Sequence, residues 1–180
     1  MTDISIDELK QKAEEYLQTE GLTLEENRGL LSSLYELNPV IHKQSYFILG
    51  SYGRDEIENL NHVKDKLSKR DGVYAFLMID VRGEWVNSIF KFRVLADYSD
   101  YIVGVCEHNK GGFLVEQGMF VVEDSYFGKT YILKRKYDGR NDDDTYSWMQ
   151  MGVFELLDNE CRLYEWHDKT ELLNKTEKIP

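Results

Sequence analysis

From residue 46 onward the chain alternates short apolar runs with longer polar-apolar stretches, and this alternation restricts the fold more than any other feature. The runs YFILG (46–50), VYAFLMID (73–80), YIVGVC (101–106), TYILK (130–134) and CRLYEW (161–166) read as strands. Between and after them, helical patterns are expected at 55–69, 84–98, 113–122, 145–157 and 169–176. A run such as YIVGVC is apolar throughout, which suits a strand covered on both faces. Strands separated by helices pair in parallel through crossovers, so the expected class is α/β. Five strands lead to a flavodoxin-like three-layer sandwich with a mostly parallel sheet in the order 2-1-3-4-5.

Ahead of this lies a different pattern. Ile6, Leu9, Ala13, Tyr16 and Leu17 form a helical stripe that Gly21 breaks, and a second helical segment over 24–37 closes at Asn38 and Pro39. The expected organisation is an N-terminal helical extension, 1–40, before an α/β domain, 41–180. The extension either packs beside the main fold or mediates a homodimer. With 180 residues and 42% hydrophobic content, one core forms without disulfides or metal. Cys106 and Cys161 have no metal-ligand spacing and read as reduced thiols. No apolar segment reaches the length of a membrane span, and no secretory leader pattern opens the chain. A formal charge of -11 disfavours approach to a phosphate backbone. A cytoplasmic protein is expected, with neither nucleic acid nor membrane as partner.

In a 2-1-3-4-5 sheet the order reverses between the first and third strands, and ligands bind beyond the carboxyl ends of the strands at that point. The turns after Gly50 and after Cys106 should face this crevice. Gly50, Ser51, Tyr52 and Gly53 form a turn whose backbone a sugar or phosphate can approach closely, although tight turns use glycine for their own geometry as well. Glu116 falls in the first turn of the helix expected after the third strand. A carboxylate there either complements the helix dipole or serves as a nucleophile toward an anomeric carbon. His108 lies in the turn before it and is either an exposed loop residue or an acid-base group. Arg93 and Lys110 suit a phosphorylated ligand if they face the crevice, and are otherwise paired surface charges. Trp85, near a helix start, either packs in the core or stacks on a base. The run NDDD at 141–144 reads as a solvated loop and helix cap. His42, His62 and His167 share no ligand spacing, so neither a metal nor a cofactor is expected.

FILGSYG, a helix ending in ADYSD, then YIVGV, a glycine turn and VEQGMF together resemble the nucleoside 2-deoxyribosyltransferase family and its N-glycosidase relatives. The residues that carry the resemblance are Gly50, Asp97, Asp100, Gly112, Glu116 and Gly118, with Phe120 where the family has a small residue. It extends over roughly 46–134, and TIR-type NAD hydrolases are a more distant likeness. The resemblance implies cleavage or transfer at an N-glycosidic bond of a nucleoside, a nucleotide or an NAD-like molecule. Glu116 would be the nucleophile, His108 or Asp100 auxiliaries, and the Gly50–Gly53 turn and Gly112 would approach the ligand; Asp100 has a structural alternative, capping the helix-to-strand turn. Two departures stand out. Lys110 occupies a position where the family usually has an acid, and Phe92 and Arg93 stand where the preceding helix often offers another. Two further readings come from other classes: a nucleotide-sensing module that keeps the crevice without turnover, and a structural or interaction domain.

Overall fold

The computed structural model describes residues 43–83, 85, 87–109 and 123–180, with 23, 25, 33, 37, 39, 40 and 118 as separate positions. The described elements are β1 (Gln44–Gly50), α1 (Glu56–Leu67), β2 (Val73–Leu77), α2 (Ser88–Tyr98), β3 (Tyr101–Cys106), α3 (Asp124–Phe127), β4 (Thr130–Arg135), α4 (Asp142–Tyr146), α5 (Glu155–Asn159), β5 (Leu163–Trp166) and α6 (Lys169–Thr176). The five strands form one sheet in the order β2-β1-β3-β4-β5. Every pairing is parallel, with Gly50 beside Val105 and Cys106 beside Lys134. This is the α/β arrangement that the alternation of strands and helices requires.

The period-2 geometry of the strands divides the core into two layers. Tyr46, Ile48, Val103, Val105, Leu133 and Trp166 pack with Leu60, Val63 and Leu67 of α1 and Leu172 of α6. Phe47, Leu49, Phe76, Ile102 and Ile132 face the other way, onto Phe90, Phe92, Val94 and Leu95 of α2 and onto Val153, Phe154 and Leu157. Leu37 and Val40, within or bordering the segment expected as a helical extension, are buried in this second layer. The rest of that extension, apart from a few separate positions, and most of the helix expected at 113–122, lie outside the described residues.

Several boundaries differ from the sequence pattern, each for a local reason. β2 stops at Leu77 because Asp80 draws the chain into a turn: its Oδ2 accepts from Leu77 N at 2.9 Å, and its own N–H donates to Leu77 O at 3.0 Å. α2 starts at Ser88, where Asn87 caps it by accepting from Phe90 N at 2.7 Å. The helix expected over 145–157 is instead α4, a 3-10 turn (Ser147–Met149), a π turn (Gln150–Phe154) and α5, with Ser147 at φ 51° interrupting it. Cys161, at φ 56°, delays β5 to Leu163.

The close approach of β1 to β3 at the reversal point depends on Gly50. A Cβ there would lie 2.6 Å from Leu60 Cδ2 and 2.8 Å from Val105 O, and the second is backbone of a central strand that cannot step aside. Gly50→Ala is therefore expected to lower stability by about 2 kcal/mol. Denaturant unfolding checks this, and an unchanged midpoint would contradict the tight crossing.

Candidate crevice at the carboxyl edge

The reversal between β1 and β3 brings two turns together. After β1, Gly53 N donates to Ser51 Oγ at 3.3 Å, and Ile57 N donates to Gly53 O at 2.9 Å, so the turn leads directly into α1. A side chain on Gly53 would overlap the carboxylate of Glu56, which folds back across the turn. After β3, the His108 imidazole reaches the same carboxylate, with Nε2 3.4 Å from Glu56 Oε1. Tyr52 is 39% exposed at this edge. The sheet thus brings together the Gly50–Gly53 turn and His108, joined through a glutamate that the sequence pattern did not single out.

Beside this pair, Glu107 is 6% exposed and fully engaged. Asn59 Nδ2 on α1 donates to its Oε1 at 2.9 Å, and Arg135 Nη1 at the end of β4 donates to Oε2 at 2.6 Å. The Tyr137 hydroxyl donates to the Glu107 backbone carbonyl at 3.0 Å. Arg135 lies over the rings of Tyr137 and Trp166, 4.9 and 5.1 Å from their centroids. Burial pushes the Tyr137 phenol up from its ordinary value.

On the other face of β4, the Lys134 side chain is 2% exposed. Its Nζ lies 2.5 Å from Asp142 Oδ2 and 3.2 Å from Glu165 Oε1, above the rings of Tyr146 and Phe154. Lys136 shares both carboxylates at 3.1 and 3.4 Å. Burial alone would raise the Asp142 carboxyl, but the two lysines more than offset it and hold the group below the usual carboxylate range. The run NDDD, read as a solvated loop and cap, therefore contributes one carboxylate to a partly buried ionic cluster centred on Lys134. The Tyr146 hydroxyl lies 2.5 Å from Arg135 O and 3.2 Å from Cys106 O, linking the ends of β4 and β3. Desolvation pushes that phenol far up.

For Asp100 and Arg93 the structural alternative holds, and both lie away from the carboxyl edge. Asp100 precedes β3, so about 20 Å of strand separates it from the carboxyl edge. There its Oδ2 accepts from Ser45 N at 2.8 Å and Ser45 Oγ at 3.3 Å, which ties the starts of β1 and β3 together. Arg93 is directed to the Tyr126 hydroxyl, which donates to Asp97 Oδ1 at 2.7 Å near the same amino edge. The D-x-x-D segment is thus a structural clamp here. Glu116, Lys110 and Gly112 lie outside the described residues. Trp85 packs against the core, its Nε1 donating to Arg82 O at 3.3 Å with the Lys91 ammonium above its ring. No group of metal-binding side chains occurs among the described residues, and none of their helices is long and apolar enough to cross a membrane.

Sequence reasoning missed Glu56, Asn59, Glu107 and Arg135. Glu107 had a readable signal, a charge set directly after a wholly apolar strand. Arg135 and Asn59 had none, since their partner is 28 or 48 residues away.

Fold and edge together define an α/β protein with an all-parallel 2-1-3-4-5 sheet and a cluster of polar side chains at the carboxyl edge of its reversal point. The chain belongs to the family of unknown function DUF8170, which it matches over residues 14–145. That span takes in the Gly50 turn, Glu107, His108, Arg135 and Asp142. No curated protein matches the chain.

The ionic cluster carries a pH signature. A carboxyl whose folded value is depressed contributes stability that is complete above its unfolded value, ~4, and is lost as pH falls through the lower folded value. Asp142→Asn should cost about 1–3 kcal/mol at pH 7 by leaving Lys134 and Lys136 with Glu165 alone. It should also flatten the loss of stability between pH 5 and pH 3. Urea unfolding at several pH values tests both, and parallel pH profiles for the two proteins would remove Asp142 from the acid response.

Proposed function

We propose that this chain cleaves or transfers at the N-glycosidic bond of a nucleoside or nucleotide, with Glu116 as nucleophile. The observation that carries the reading is the meeting of the Gly50–Gly53 turn with the chain leaving β3 at the sheet's reversal point. This is the place where such sheets bind ligands, and the chain running on from His108 leads to the G-x-x-x-E-x-G segment at 112–118. Gly50, Ser51, Tyr52 and Gly53 would receive the ribose or its phosphate, and Lys110 favours a phosphorylated or NAD-like ligand over a bare nucleoside. Asp100 and Arg93 take no part.

In the first step the Glu116 carboxylate oxygen bonds to the anomeric carbon as its bond to the base nitrogen breaks. The electron pair leaves with the base, which takes up a proton. Water, or the nitrogen of a second base, then attacks the same carbon and releases the carboxylate.

The test is incubation with a panel of nucleosides, nucleotides and NAD, read by chromatography of free base. Wild type should release base, and Glu116→Gln should lower the rate by at least ~10³-fold. Equal rates in both would exclude Glu116 as nucleophile. Thermal stabilisation by a nucleotide with no base release would assign the crevice to sensing instead.

A further inference from the structure

α1 and the turn after β3 meet through two successive contacts in matching order. Asn59 pairs with Glu107, and Glu56, three residues earlier on the same helix face, pairs with His108, the next residue along the turn. The first contact is the more enclosed, with Glu107 6% exposed, and it fixes the backbone on both sides, since Glu107 also holds Arg135 and its carbonyl accepts from Tyr137. The second contact is of another kind. Both side chains are about one-third exposed, at 30% for His108 and 27% for Glu56, and they stand at the reversal point rather than in the core. The absence of a side chain at Gly53 is what lets the Glu56 carboxylate lie across the turn toward the imidazole. A first-turn glutamate serving the helix dipole has no need of that space.

We infer that Glu56 is a positioning residue for His108, and that the pair supplies the proton for the departing base; this rests on the N-glycosidic reading above. By accepting from Nε2–H, the carboxylate fixes the tautomer and orientation of the ring, as a carboxylate does for other acid-base histidines. As the glycosidic bond breaks and its electron pair moves onto the base nitrogen, the imidazolium gives that nitrogen a proton and becomes neutral. In the second step water attacks the anomeric carbon, its proton passes to the imidazole, and the Glu116 ester bond breaks. The enzyme returns to its starting protonation state.

The experiment combines base-release kinetics with ¹⁵N-edited NMR of the His108 ring in wild type, Glu56→Ala, Glu56→Gln, His108→Asn and the double variant Glu56→Ala/His108→Asn. In wild type the neutral ring should be predominantly the Nε2–H tautomer. In Glu56→Ala the tautomers should mix, with kcat falling about 10²-fold and KM changing little. Glu56→Gln, whose amide oxygen still accepts, should recover part of both effects, and the double variant should be no slower than His108→Asn. Three results overturn the role. An unchanged ring spectrum in Glu56→Ala would show that the carboxylate does not set the tautomer. Unchanged kcat in Glu56→Ala, with Glu116→Gln inactive, would remove the pair from the reaction and leave the N-glycosidic reading standing. A wild type that releases no base from any member of the panel would sink both together.

Discussion

The carboxylate of Glu107 is the contact on which the carboxyl edge of the sheet depends. A charge this buried is tolerated when its oxygens are bonded and its charge is matched, and removing one partner would leave the remainder uncompensated. The partners come from separate elements: Asn59 on α1, Arg135 at the end of β4, and Tyr137 beyond it on the backbone carbonyl. Arg135 in turn stacks on Trp166 at the end of β5. One ion pair therefore sets α1, β3, β4 and β5 in a fixed relation. The positions of Glu56 and His108 follow, because each is a short, rigid step along the chain from a residue of that network.

The opposite face of the same edge is held by equivalent means with the charges reversed. Lys134 is the buried group, and Asp142 and Glu165 are its partners. Between them the chain from 136 to 146 is tied at both ends, since the Tyr146 hydroxyl returns to the carbonyls of Arg135 and Cys106. This explains why the helix expected over 145–157 does not run through. Tyr146 must point into the sheet edge, and the chain must then change direction, which it does through the positive φ of Ser147 and a 3-10 and π segment. Backbone strain of this size persists where surrounding contacts over-determine it, and the buried tyrosine and lysine provide those contacts.

The sheet was legible because apolar runs and helical periodicity are local signals: five strands separated by helices leave few arrangements, and 2-1-3-4-5 is the one adopted. Individual helix caps were not read in advance: Asp168, whose side chain accepts from Glu171 N at 2.9 Å at the start of α6, was not singled out. Nor were the pairings at the crevice. Arg135 looks like an ordinary charge until the parallel β3–β4 register sets Cys106 beside Lys134 and so brings Glu107, just past β3, beside it. His108 and the Gly50–Gly53 turn stood out by residue type and by position after a strand. Glu56 did not, since a glutamate in a first helical turn has a sufficient explanation in the dipole.

The two ends of the sheet also divide the acidic residues that the sequence presents as one motif region. At the amino edge the polar groups saturate one another. Asp100 binds Ser45, Asp97 binds Tyr126, and Lys129 donates to Ser99 O at 2.7 Å and Asp97 O at 3.3 Å, its ammonium depressed by burial. These contacts join β1, α2, β3 and α3, which is what a clamp at the bottom of a parallel sheet has to do. At the carboxyl edge Glu107 and Lys134 are equally saturated, while Glu56 and His108 sit with partial exposure beside a glycine turn. The two edges of the sheet therefore differ in burial, and at the carboxyl edge that difference separates part-exposed His108 from its buried neighbour Glu107.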